Sequence, residues 1–403
     1  MKLVGGFPFW LIRSGLLFDY PVLQESVNTE VLIVGGGISG ALLGYQLTNE
    51  GVPCLIVDSR TIGLGSTCAS TSLLQYEIDT PLSVLKDKVG EDNAVAAYRL
   101  NAQAINELAA IHKAVGCCEF SYKKSLLYAA KKKHVAGLKK EVAMRQKFGF
   151  EVQWLDSEET KTRFDLTVPG AILSETAGQT DSYKFTHALH QHSMQRGLRV
   201  FDRTEVVDVS YEAGGIKALT NNGYTITAAH IIYANGYEAV NYIENKLVDV
   251  NVTYAVASEQ LPGSTPLWND DLLIWNTDDP YLYCRTTNDR RIIVGGRDEA
   301  YRRKCNLSEM VASKSKQLKK DFEKLFPKLR FRNEFAWSGT FINTKDGLPF
   351  IGSLKQRPNT YFALGFGGNG ITFSQVAAEI ITALITKGVH EYGKIFSFER
   401  ADT

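Results

Sequence analysis

The chain has 403 residues, 44% hydrophobic and 22% charged, a composition that excludes a long disordered region and is sufficient for two cored domains. Its 45 Lys and Arg nearly balance 44 Asp and Glu, so a formal net charge of +1 gives no whole-molecule field for nucleic acid or an acidic membrane surface, and predicts a small-molecule partner. The cysteines Cys54, Cys68, Cys117, Cys118, Cys284 and Cys305 form no CxxC pair and no zinc spacing, which predicts reduced thiols, a cytoplasmic setting and no metal site.

The opening stretch "MKLVGGFPFWLIRSGLLF" is apolar, but Pro8 and Arg13 interrupt it and no small-residue cleavage site follows. Residues 1–27 therefore read as a packed N-terminal extension. No apolar run reaches the ~18 residues of a membrane span, so no integral membrane segment is expected.

The next unit is "TEVLIVGGGISGALLGYQLTNEGVPCLIVDSR", Thr29 to Arg60. Val31 to Val34 suit a buried parallel strand, Ala41, Leu42, Tyr45 and Leu47 follow with helical spacing, and Leu55 to Val57 form a second strand. Between strand and helix, Gly35, Gly37 and Gly40 make GxGxxG, and Asp58 ends the second strand, as a dinucleotide fingerprint requires. Gly35 permits the tight turn, Gly37 lets backbone approach a pyrophosphate, and Gly40 allows close helix packing. Asp58 is placed to accept bonds from ribose hydroxyls. The fingerprint serves FAD and NAD alike.

Residues 80–178 read as largely helical, through "AVAAYRLNAQAINELAAIHKAV" and "AGLKKEVAMRQKFGF", with a strand at "SLLYAA". Lys123, Lys124, Lys131, Lys132, Lys133, Lys139 and Lys140 read as a solvated face. In "HALHQH", a helix sets His190 and His192 on different faces, so His187, His190 and His192 read as surface or packing residues rather than metal ligands.

Strands joined by tight turns follow, with a hairpin at Asn222-Gly223, and residues 249–300 are again strand-rich. In "YLYCRTT", alternation puts Tyr281, Tyr283 and Arg285 on one face, suited to an anion beneath aromatic walls; the alternative is an exposed Arg285 on a sheet edge. A last helix, roughly Ile371 to Thr386, follows the glycine-rich "LGFGGNG", which places unpaired amides at its start. Interleaved helices and strands predict two domains woven by several crossings. The chain has no nucleophile elbow and no second GxGxxG, which argues against a hydrolase and an NADH-using disulfide reductase.

Four blocks in order, the fingerprint with Asp58, "GSTCASTSLL", "IIYANGYE", and "WSGTFINTKDGLPFIG" followed by "LGFGGNGIT", carry a resemblance to the D-amino-acid oxidase, glycine oxidase and sarcosine oxidase superfamily. The resemblance implies an α+β fold with a Rossmann-type FAD-binding domain (28–85, 179–240, 335–395) and a mixed-sheet substrate domain (86–178, 241–334). It implies that Ile38 and Ser39 face the pyrophosphate, and that Ser66, Thr67, Thr71, Ser72 and Leu73 line the phosphate and ribityl portion. Ser59, Phe366, Gly367, Gly368 and Asn369 join the cofactor contacts. Val206 corresponds to a backbone position at the adenine, or is a core strand residue; Ala234 and Gly236 are small beside the cofactor, or reflect backbone crowding. Helix-end amides at Gly370, Ile371 and Thr372 would stabilise the reduced flavin anion.

The chain also departs from the superfamily pattern. Phe341 stands where amino-acid-oxidizing relatives have a G-x-R-P arginine, and Gly368 where glycine oxidase-like sequences have another. Tyr281, Tyr283, Arg285 and Phe341 are therefore the substrate-side candidates. Ile292 and Ile293 occupy the strand on which sarcosine oxidase-like relatives have an oxygen-activating lysine, so oxygen and another electron acceptor both stay open. "FAWSGTFINTKDG" has no covalent-flavin cysteine, which predicts non-covalent FAD. The reaction implied is hydride removal from a small amine, amino acid or related substrate with oxygen as acceptor. The alternatives are an FAD dehydrogenase of a hydroxy acid or polyol phosphate, or a non-catalytic flavin-binding subunit.

Overall fold

The computed structural model describes residues 3–117, 119–212, 215–238, 247–302 and 306–402. The 240/241 domain boundary expected from the sequence, Cys118 and Cys305 lie outside the described residues.

Val27–Val34, whose last four residues are buried, is the centre of an eight-stranded sheet. Parallel to it run Cys54–Val57 on one side and Thr225–Tyr233 on the other. Arg199–Phe201 and Arg357–Leu364 extend the parallel core, and Phe350–Leu354 closes one edge antiparallel. The hairpin expected at Asn222-Gly223 joins Gly215–Thr220 to Thr225–Tyr233, with Gly223 at φ 83° supplying the turn. The strand order switches sides at Val27–Val34, with Cys54–Val57 on one flank and Thr225–Tyr233 on the other, and such a switch opens a crevice beyond the carboxyl ends, where doubly wound sheets bind ligands. Helices Ile38–Asn49, Ser182–Met194 and Gly370–Lys387 cover the sheet beside that crevice. The first of them buries most of its first two turns, so its apolar run reads as a buried helix and not an amphipathic one.

The second sheet has ten strands and is mostly antiparallel, with Leu273–Asn276 beside Ser121–Tyr128 the parallel exception. Residues 80–178 hold more strand than their composition suggests. Val152–Asp156 and Gly170–Gln179 pair with each other, and Gly170–Gln179 also pairs with Ser121–Tyr128. Their Gly, Ser, Thr and Gln content hides the alternation that marks a strand. Asn333–Thr344, grouped by sequence with the cofactor domain, pairs along Val248–Ser258 in this second sheet. The N-terminal extension adds Val4–Gly6 to the same strand's other edge and buries Phe9 and Trp10. The two sheets therefore share a boundary formed by Asn333–Thr344 and by the loop before Leu73–Gln75.

Candidate active site

A cavity of about 340 Å³ occupies this boundary. Gly35, Gly37, Ile38 and Ser39 line it. Gly35 has φ 115°, and a Cβ there would lie 2.6 Å from the Ala234 carbonyl oxygen, so only glycine fits the turn. Gly40 does not reach the cavity; a Cβ at that position would collide with the Gly35 carbonyl, so its role is close helix packing.

The loop is held from behind. Asp58 accepts the Gly36 and Arg60 N–H groups at 2.8 Å each; burial pushes its carboxyl pKa up, and these two bonds oppose the shift. On the other side, His190 Nε2 donates to the Gly36 carbonyl at 2.9 Å. A carbonyl only accepts, so this bond sets the tautomer, and burial lowers the His190 pKa to about 4, leaving a neutral ring. Thr67 Oγ1 accepts the Ile38 N–H at 3.0 Å. Ser39 and Ser374 hydroxyls meet at 2.7 Å and tie the first helix to the last.

Asp58, Ser59, Ser66, Thr67, Thr71, Ser72 and Leu73 also line the cavity, as do Val206, Ala234 and Gly236. Arg60 and Glu238, which the sequence reading left out, form a two-pronged pair at 2.9 and 2.8 Å beside Asp58.

At the late glycine loop, Phe366, Gly367, Gly368, Asn369, Gly370 and Ile371 line the cavity. Asn369 precedes the helix but does not cap it; its Nδ2 donates to the Gln75 and Glu77 carbonyls at 2.9 Å each. Helix-start amides are thereby left facing the cavity without a side-chain acceptor, the arrangement that attracts negative charge. Thr372 is buried behind, its hydroxyl turned onto the Asn369 carbonyl at 3.1 Å, so its side chain is not a contact of the cavity.

Tyr281, Tyr283 and Phe341 line the far wall, the two tyrosine rings 5.6 Å apart. Burial raises both phenol pKa values, Tyr283 to about 12, so both stay neutral. Arg285 corrects both readings made from the sequence. It is neither in the cavity nor at an edge, since its strand lies between Ile292–Ala300 and Leu273–Asn276. Only 3% exposed, its Nη1 donates to the Thr71, Ser72 and Thr180 carbonyls at 3.1, 2.8 and 2.9 Å, and its guanidinium lies over Trp10. Burial lowers its pKa to about 10. Trp10 and Trp337 donate to the Ser70 and Ala69 carbonyls at 2.7 and 2.8 Å, so an arginine and two indoles together fix the 69–72 loop. Alternation correctly put Arg285 on the tyrosine face, but that loop covers it.

Sequence reasoning missed Asp79, Glu77, Trp275 and Thr253 on the same wall. Asp79 Oδ2 accepts the Gly368 N–H at 2.9 Å, and burial raises its carboxyl pKa. The histidines are packing residues: His187 meets the Tyr20 hydroxyl at 2.9 Å and His190 holds Gly36. Among the described residues no helix is long and apolar enough to cross a membrane.

A Gly-cradled turn, an acid after the second strand and two helix starts meet at one cavity, between a Rossmann-type sheet and a mixed sheet. Residues 30–384 match the family of FAD dependent oxidoreductases, and the chain belongs to it. It is 22% identical over 385 residues to the glycine oxidase of Geobacillus kaustophilus, covering 89% of this chain and 93% of that protein. It is 22% identical over 380 residues to the gamma-glutamylputrescine oxidoreductase of Escherichia coli, covering 91% and 85%. Among solved structures, L-proline dehydrogenase from P. horikoshii superposes with a TM-score of 0.78 at 21% identity, covering 94% of this chain and 99% of that one. The α+β architecture, a Rossmann-type unit joined to a mixed sheet, is the fold of these enzymes.

Proposed function

We propose that the protein removes a hydride equivalent from a small amine, amino acid or related hydroxy acid, with non-covalent FAD as cofactor and oxygen as the electron acceptor. The observation that carries this reading is the cavity that joins the Gly35 turn and Asp58 to the uncapped start of Gly370–Lys387 and to the Tyr281, Tyr283 and Phe341 wall. FAD, when bound, supplies the two-electron acceptor. The Gly35–Ser39 backbone and Thr67 would hold its phosphates, and Asp58 its ribose. The amides of Gly370 and Ile371 would favour negative charge next to them, and the aromatic wall would exclude water and orient the donor carbon.

Among the described residues lining the cavity there is no cysteine or histidine, which supports non-covalent attachment. Cys68, between lining residues, points its thiol at the Gly65 carbonyl, and burial raises its pKa to about 12. The free thiols of Cys54, Cys68, Cys117 and Cys284 are consistent with a reducing cytoplasm. An absorbance spectrum tests the reading: a yellow protein that releases its flavin on acid precipitation, bleaches anaerobically with a donor and forms peroxide on re-aeration supports it, whereas a colourless preparation that cannot be reconstituted with FAD defeats it.

A dehydrogenase using another acceptor is the second reading, favoured by the lack of a lysine among the described lining residues. Rapid dye reduction without peroxide would select it.

A further inference from the structure

The substrate wall has a charge bias that distinguishes between donor classes. Asp79 lines the cavity and its carboxylate takes one backbone bond, from Gly368. Glu77 reaches the cavity too, but its carboxylate oxygens are buried behind the wall, with Arg145 Nη1 at 3.6 Å from Oε1. That guanidinium is shared, because its Nε also binds Glu141 at 2.7 Å, so two carboxylates face one cation. Behind Thr253, burial raises the Asp298 pKa to about 7, with the negative charge of Asp79 adding to the rise and the Thr253 hydrogen bond opposing it. The only lining cation among the described residues is Arg60, beside Asp58 and paired with Glu238. Gly368 is required for this arrangement: a Cβ there would lie 2.8 Å from Asp79 Oδ1 and 3.2 Å from the Tyr281 hydroxyl, so no longer side chain fits without displacing the acid.

A carboxylate and π faces around one space favour a cation and disfavour an anion. Resting on the oxidoreductase reading above, we propose that the donor is an amine with no carboxylate on or beside the carbon that is oxidised, and that Asp79, with the Tyr281 hydroxyl beside it at Gly368, recognises its nitrogen. An ammonium placed there offsets the desolvation of Asp79. An amino acid would set its own carboxylate against Asp79 with no free guanidinium or ammonium opposite it among the described lining residues.

The test uses FAD-loaded protein near pH 8 and two probes of similar size, benzylamine and benzoate, titrated by calorimetry. Benzylamine is expected to bind at least 10-fold tighter, and Asp79→Asn to weaken it at least 10-fold while leaving benzoate unchanged or tighter. Equal or tighter benzoate binding to the wild type, an unchanged benzylamine affinity in Asp79→Asn, or binding of neither probe overturns the proposal. Should Asp79→Asn fail to fold, the wild-type pair decides alone. Anaerobic bleaching separates this proposal from the reading beneath it. Reduction by phenylglycine but not by benzylamine rejects the amine proposal and keeps the oxidoreductase, whereas no reduction by any donor counts against the oxidoreductase while probe binding still decides the charge preference.

Discussion

At the Gly35 end, the cavity is a backbone surface made by one strand, one turn and one helix start, whereas the Asp79 end is a side-chain surface assembled from segments scattered over the chain. Backbone geometry is set by a few glycines, so the first surface suits a ligand shared by a whole family. Side chains can be exchanged without moving the frame, so on the proposed function the second surface is where donors would be distinguished. Changes at the two ends should therefore fail differently, one losing cofactor and the other changing preference.

The largest expected effect is at Gly40. Gly40→Val drives side-chain atoms into the Gly35 carbonyl, and a cost of more than about 4 kcal/mol is expected, read as loss of 450 nm absorbance from purified protein. A yellow Gly40→Val protein would break the comparison at its stronger end. Arg285→Leu is next. It takes a donor from the Thr71, Ser72 and Thr180 carbonyls, of which Ser72 keeps the Thr180 N–H, so a loss of about 3 kcal/mol is expected in thermal or denaturant unfolding. Because Arg285 does not touch the cavity, the ratio of benzylamine to benzoate affinity should stay put; a collapse of that ratio would return Arg285 to the substrate wall.

Acid provides the third test. Folding lowers the His190 pKa from 6.5 to about 4, so its contribution is complete above pH 6.5 and is lost as pH falls from 6.5 to 4, where the unfolded ring binds a proton and the folded ring does not. The loss is on the order of 3 kcal/mol. His190→Asn should flatten the fall in thermal midpoint between pH 7 and 4.5, and a slope unchanged from wild type would contradict the buried neutral ring. The smallest effect is at Phe341, which lines the wall. Phe341→Arg adds a guanidinium where none is described, and about 10-fold tighter benzoate, or ~1.4 kcal/mol, is expected with FAD content unchanged. If benzoate affinity does not move, Phe341 is not on the donor's side of the cavity.

The same division explains what could be read from the sequence. Gly35, Gly37, Gly40 and Asp58 were legible because their chemistry is local: steric limits on a turn and an acid one strand later. The start of Gly370–Lys387 was legible for the same reason. Asp79 was not, because it sits in an irregular segment and acquires meaning only through Gly368, 289 positions away. Arg285 illustrates the other limit. Alternation gives a face, but what covers that face comes from Thr71, Ser72 and Thr180. His190 looked like a packing residue and is one, yet the carbonyl it holds belongs to the glycine turn.

The short strand Val4–Gly6 has a temporal consequence. It pairs with Trp337–Gly339, Leu3 accepts the Thr340 N–H at 2.9 Å, and Leu3 itself lines the cavity. On the ribosome Val4–Gly6 must wait for Trp337–Gly339 to emerge before their partner exists, since such distant pairing cannot precede synthesis. This wall of the pocket is completed only once Asn333–Thr344 is available, so the cofactor meets its full enclosure after both sheets have been made.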